Sequence, residues 1–153
     1  MTHEEFARRI VAMQGTLYRV SCTLLPQLCD REDAVQSAIE KAWCKQATLK
    51  DESRLQAWMI RILINECKNL YRRRRAVETE LPDELPQAVS DDFSLLEALM
   101  ALPEKHRIAL ELHYIEGYKT REISGMLGIP ESTVKWRLRK GRDKLKAELG
   151  GEA

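Results

Sequence analysis

Lys135, Arg139, Arg142 and Lys146 recur at three- and four-residue spacing, which lines four cations along one face of a helix. Lysine and arginine can neutralise phosphates and hydrogen-bond the edges of guanine, and Ser132 can bond donor or acceptor edges. A row of surface cations alone is also what a solvated helix face looks like. The residues that precede the row decide between the two.

Those residues are in Thr120–Leu145, TREISGMLGIPESTVKWRLRKGRDKL. Thr120 can cap a short helix whose apolar side is Ile123, Met126 and Leu127. Gly128 falls where a left-handed helix-ending residue is needed, and Pro130 cannot continue that helix. A second helix then starts near Glu131, with Val134, Leu138, Gly141 and Leu145 on its apolar back. The unit is a helix-turn-helix, whose second helix enters the DNA major groove with its N-terminal residues first. Ser132, Lys135, Trp136 and Arg139 are therefore the candidate base contacts, with Thr133 and Lys140 beside them. Lys119, Thr120 and Arg121 open the preceding helix, where they can hold phosphate and fix register. Trp136 reads equally as a contact to a thymine methyl or a sugar and as packing on the domain.

A second cationic cluster ends a helical pattern in the first half. Arg72, Arg73, Arg74 and Arg75 are consecutive, so they surround the helix and cannot all face one partner. Arg72 and Arg73 are expected to hold a nucleic-acid backbone. Asn65 and Asn69 lie one turn apart on the same helix.

The formal charge of the 153-residue chain, +1, hides a segregation. Residues 1–75 carry a net +5, residues 76–103 a net −7 with no lysine or arginine, and residues 104–153 a net +3. Fields of this kind fade over about 8 Å in cell-like salt, so an acidic connector need not cancel two basic modules. No signal peptide is visible, and no apolar run approaches the roughly 20 residues of a spanning helix, so a cytoplasmic chain is expected. Cys22, Cys29, Cys44 and Cys67 form no CxxC pair and have no nearby histidine pair. They read as reduced thiols rather than zinc ligands. No cofactor is expected.

The apolar spacing is helical nearly throughout and predicts an all-α chain of two small helical domains. Phe6, Ile10, Met13, Leu17 and Leu24 form one long stripe ending near Pro26. Asp30 can cap a second helix, with Val35, Ala38, Ile39, Ala42 and Trp43 inward. Lys45–Ser53 is polar and breaks the period. A third helix turns Leu55, Trp58, Met59, Ile62, Leu63, Cys67 and Leu70 inward, so residues 1–75 make a three-helix module. Residues 76–92, with two prolines and no basic residue, are expected to be a flexible acidic linker. Residues 93–153 make a four-helix helix-turn-helix domain: Leu95, Leu96, Leu99 and Met100 begin it. Pro103 opens the next helix at its first position, and Ile108, Ala109, Leu112 and Ile115 point inward until Gly117.

Three segments together resemble the extracytoplasmic-function (ECF) sigma factors, small initiation subunits of bacterial RNA polymerase, over about residues 4–149. DREDAVQSAIEKAW (Asp30–Trp43) is similar to the family's polymerase-binding helix. LQAWMIRILINECKNLYRRRR (Leu55–Arg75) is similar to its downstream-element helix, and Leu102–Leu145 to its C-terminal DNA-binding domain. The chain departs from the family's habits with Asn69 in place of Asp, Gly125 in place of Ala and Pro130 in place of a capping Ser. The resemblance implies that Asp33, Gln36, Ser37 and Glu40 bind core RNA polymerase. It implies that the 45–53 loop, with Gln46, Thr48, Lys50 and Asp51, captures a flipped base of the melted −10 element. Asn65, Asn69, Arg72 and Arg73 then belong to the −10 contacts, and residues 119–140 to the −35 duplex. Promoter DNA, core polymerase and an anti-sigma factor are the implied partners, with no small-molecule substrate.

Two other functions compete. A conventional helix-turn-helix regulator binding duplex DNA as a symmetric dimer needs only residues 93–153 and leaves the first module without a role. An enzyme would need a nucleophile–base arrangement or a phosphate loop. None is evident, and His3, His106 and His113 are scattered, the last two reading as helix-surface or interface residues.

Overall fold

The structure, a computed structural model, describes residues 1–77 and 93–150, with side chains described over 1–76 and 97–150. The expected linker therefore lies outside the described residues except for its first two, as do the side chains of Leu95 and Leu96. All regular structure among the described residues is helical, and the chain divides into two compact units, Met1–Pro82 and Asp83–Ala153.

The first unit contains α1 (His3–Ala12), α2 (Gln14–Leu24), α3 (Leu28–Lys45) and α4 (Leu55–Val77). The single stripe expected over Phe6–Leu24 is split into two helices at Met13, where the backbone N–H bonds back to the Ile10 carbonyl at 3.0 Å. That tightened turn keeps Phe6, Ile10, Met13, Leu17 and Leu24 all buried, so the break preserves the apolar face rather than ending it. α3 and α4 pack on each other and on α2, around Leu17, Val20, Leu55, Met59, Ile60, Leu63 and Ile64.

Asp30 does not cap α3. The helix starts at Leu28, after an extended Gln27 (φ −101°, ψ 136°), which puts Asp30 in its first turn. There its buried carboxylate accepts from Arg74 Nε at 3.0 Å and Nη2 at 2.8 Å. The α2–α3 turn is closed by Arg31, whose Nε donates to the Leu25 carbonyl at 2.8 Å and Nη2 to the Pro26 carbonyl at 3.2 Å. Of the expected inward face of α3, Ala38 and Ala42 are buried, joined by Ala34, whereas Val35 and Ile39 are half-buried and Trp43 is 46% exposed. Trp43 covers the edge of the core instead, with its ring 6.1 Å from Phe6.

The second unit holds α5 (Phe93–Met100), α6 (Glu104–Leu110), α7 (Thr120–Leu127) and α8 (Glu131–Gly150). α5, α6 and α7 all pack on α8, around Leu102, Ile108, Leu112, Ile123, Met126, Val134 and Leu138. Pro103 stands one position earlier than expected, as the extended residue before α6 (φ −55°, ψ 145°). The end of α6 widens into a π-turn over Glu111–Ile115, where the Glu116 N–H reaches back five residues to the Glu111 carbonyl at 3.0 Å. The extra residue in that turn rotates Ile115 outward, to 57% exposure, against its expected place in the core. His106 is buried with Nδ1 3.3 Å from the Arg137 carbonyl, and the half-buried His113 has Nδ1 2.8 Å from the Tyr118 carbonyl.

Candidate nucleic-acid interface

The turn between α7 and α8 is built as its residue types require. Gly128 is left-handed (φ 68°, ψ 35°), and the Gly128 and Ile129 N–H groups both donate to the Ser124 carbonyl, at 2.9 and 3.2 Å. Pro130 accepts at its carbonyl from Thr133 and Val134 N–H, at 3.0 and 3.1 Å, and so starts α8. The cap of α7 falls on Lys119 rather than Thr120. Lys119 is extended, and its N–H donates to Glu122 Oε1 at 2.9 Å. The Thr120 hydroxyl is thereby free to tie the two helices together, donating to Glu131 Oε2 at 3.1 Å.

With Val134, Leu138 and Gly141 buried behind, α8 presents Ser132, Lys135, Trp136, Arg139 and Lys140 as one exposed stripe. Thr133 lies half-buried at its flank, and Lys119 and Arg121 are exposed at the start of α7. Trp136 is 49% exposed, with its ring 6.0 Å from His106, so it both packs and remains open. Arg142 is engaged, with Nη1 donating to the Tyr114 hydroxyl at 2.9 Å.

The end of α4 carries a second exposed polar stripe. Asn65, Asn69, Arg72 and Arg73 are all exposed, at intervals of four, three and one, hence on one side of the helix. Asn69, Arg72 and Arg73 line a cleft of about 440 Å³ with Lys41 and Glu66. Lys41 of α3 pairs with the buried Glu66 carboxylate across the base of that cleft. A pairing 25 positions apart leaves no local signal in the sequence. Arg74 turns away from the cleft to Asp30.

The 45–53 segment is irregular, with short 3₁₀ turns at Gln46–Thr48 and Glu52–Arg54. Gln46 Nε2 donates to the Trp43 carbonyl at 2.9 Å, and the Thr48 hydroxyl donates to the Lys45 carbonyl at 2.6 Å. Asp51 accepts from the Ser53 hydroxyl at 2.6 Å and the Ser53 N–H at 3.0 Å, and these bonds hold its carboxyl below the usual carboxylate range. Lys50 is exposed. On α3, Asp33, Gln36 and Glu40 are exposed and Ser37 is half-buried, along one outward face. Among the described residues no group of three His, Cys, Asp or Glu is placed to hold a metal ion, and no helix is long and apolar enough to cross a membrane.

Two helical modules, one ending in a cationic cleft and the other carrying a helix-turn-helix, have the layout of a nucleic-acid-binding protein. Residues 10–77 match sigma-70 region 2, and residues 92–145 match sigma-70 region 4. The RNA polymerase sigma-E factor of Streptomyces coelicolor is 28% identical, over 95% of this chain and 86% of that one. The sigma factor SigZ of Bacillus subtilis is 34% identical, over 78% and 73%. The sigma factor RpoE from Bartonella quintana, crystallised in complex with the anti-sigma factor NepR, matches with a TM-score of 0.82 at 26% identity, over 96% and 98%. The chain belongs to the sigma-70 family, as an ECF-type RNA polymerase sigma factor that directs promoter-specific initiation.

Proposed function

We propose that residues 93–153 read the −35 duplex and residues 1–75 hold core polymerase and the melted −10 element, with 76–92 as the tether. The observation that supports this division is the presence of one exposed cationic stripe per module. Ser132, Lys135, Trp136, Arg139 and Lys140 line α8, and Asn65, Asn69, Arg72 and Arg73 line α4. A single-module regulator has no use for the second stripe. In the −35 element, Lys135 and Arg139 contact base edges, with Thr133 at their side and Lys119 and Arg121 on phosphate. The Thr120 hydroxyl, engaged by Glu131, positions the helix pair rather than a phosphate. In the −10 element, Arg72 and Arg73 hold backbone, and Gln46, Thr48, Lys50 and Asp51 frame the captured base. Asp33, Gln36, Ser37 and Glu40 meet the polymerase. The protein does no chemistry itself, since the polymerase forms the bonds, and it works in the cytoplasm where the polymerase is. The likeness to RpoE, which NepR binds, supports regulation of this chain by an anti-sigma protein.

The test is transcription by core polymerase with the purified full chain, followed by mapping of start sites. A common pair of upstream elements is expected, and loss of either to Lys135→Ala or Arg139→Ala should weaken promoter binding by about 1–3 kcal/mol at the position that residue reads. Absence of chain-dependent start sites refutes the reading.

A further inference from the structure

α1 holds the loop between α3 and α4 at two posts. His3 Nδ1 lies 3.0 Å from Gln46 Oε1, and the His3 ring is 5.4 Å from the Trp43 indole. Because Gln46 Nε2 already donates to the Trp43 carbonyl, the amide oxygen is the atom that faces His3, and His3 Nδ1 is the donor. Six residues further along α1, Arg9 Nη2 donates to the Glu52 carbonyl at 3.2 Å. The Glu52 carboxylate also pairs with the Met1 ammonium at 2.7 Å, which holds it below the usual carboxylate range.

Gln46 opens the first 3₁₀ turn and Glu52 opens the second. Residues 47–51 are therefore suspended between two points fixed to a single helix. That helix is in turn anchored in the core by Phe6 and Ile10, which are 2% and 4% exposed. The remaining bonds of Thr48 and Asp51 are local, to Lys45 and Ser53, and fix the shape of each turn but not its place. A pocket that selects one unstacked base does so through donors and acceptors held to within about 0.5 Å. The loop hangs from α3 and α4 at its two ends, and α1 adds the two side-chain posts that brace it from the side.

We propose that His3 and Arg9 are positioning residues for base selection: they touch no DNA, and they fix the loop that does. This rests on the reading of Gln46–Asp51 as the base-capturing segment. It assigns to α1 a share in promoter specificity that is separate from its share in the core.

The test uses holoenzyme reconstituted from core polymerase and the full chain, transcribing a promoter library randomised across the melted downstream element. Transcript sequencing gives the base preference at each position. The wild-type chain is expected to prefer one base sharply at one melted position. The His3→Ala/Arg9→Ala chain is expected to flatten that preference by about 5- to 10-fold, as a site does when its hydrogen-bonding groups lose their placement. Preference in the upstream duplex element and affinity for core polymerase are expected to stay unchanged. His3→Asn/Arg9→Lys keeps a donor at each post and is expected to restore most of the preference. Each single alanine substitution is expected to show part of the flattening, which keeps the test available should the double variant not fold. An even drop in output with an unchanged preference profile reduces α1 to a structural role and overturns the proposal, as does an unchanged profile at full output. A wild-type chain with no preference at any melted position overturns the reading of the loop itself.

Discussion

Successive residues of a helix are turned by about 100°, and around Arg72–Arg75 that rotation separates residues of one type into different duties. Arg72 and Arg73 face the cleft, and Arg74 meets the buried Asp30. Arg74→Ala leaves that carboxylate without its guanidinium partner. The full chain is expected to lose about 2–3 kcal/mol in urea denaturation of the first module, somewhat less than a fully buried pair because Arg74 is itself partly exposed. Arg72→Ala and Arg73→Ala are expected to change stability by under about 0.5 kcal/mol. Each should instead lower the salt dependence of promoter binding by about one counterion. That four arginines cannot share a face is legible from spacing; which one turns inward depends on Asp30, 44 positions away, and is not. His106 makes a similar point. Burial lowers its pKa, with the nearby Lys144 and Lys105 adding to the effect against the Arg137 carbonyl. The unfolded chain takes up that proton near pH 6.5, before the folded one does. The stabilisation is thus complete above about pH 6.5 and is lost as pH falls from there towards the lower folded value. The melting temperature of the second module should therefore fall as pH drops below about 6.5, and His106→Gln should reduce that dependence.

At the scale of elements, the helix-turn-helix was legible almost residue by residue, because its signals are local. Gly128 is left-handed where the turn demands it, and Val134, Leu138 and Gly141 form the buried back of α8. The misses have local causes of another kind. Thr120 looked like a cap, but Glu122 accepts the Lys119 N–H and so moves the cap one position back. Ile115 fitted a helical period that the π-turn interrupts. Two glycines of this unit behave oppositely. A Cβ on Gly125 would meet no atom within 4 Å, so Gly125→Ala should stabilise α7 by about 0.5–1 kcal/mol. A Cβ on Gly141 would lie 3.1 Å from Leu110 Cδ1, between α6 and α8, so Gly141→Ala should cost about 1 kcal/mol through overpacking. Thermal denaturation of the two variants beside the parent chain checks both signs.

For the molecule as a whole, the two-unit organisation showed in charge before it showed in structure. Net +5 and +3 flank a net −7 stretch that ends inside the second unit, and that contrast is visible in composition alone. The proposed polymerase-facing surface is not legible from physics alone. Asp33, Gln36, Ser37 and Glu40 form a polar helix face like many others, and only the resemblance to the family proposes a partner for it. Charge reversal at Asp33 and Glu40 is expected to weaken association with core polymerase at least about tenfold, as like-charge juxtaposition at an interface does. The same variant should leave binding of the −35 duplex intact. Gel filtration with core polymerase and titration of a −35 duplex measure the two effects separately, and a parallel loss of both would indicate misfolding.

The wide turn at Glu111–Ile115 leaves the aim of the recognition helix exposed to a small genetic change. Dropping one codon there would turn it into an ordinary helical turn, swing Tyr114 about 100° off Arg142, and re-register every residue up to α8. Deletion of one residue in that turn is therefore expected to alter promoter choice with each proposed base-contacting side chain unaltered.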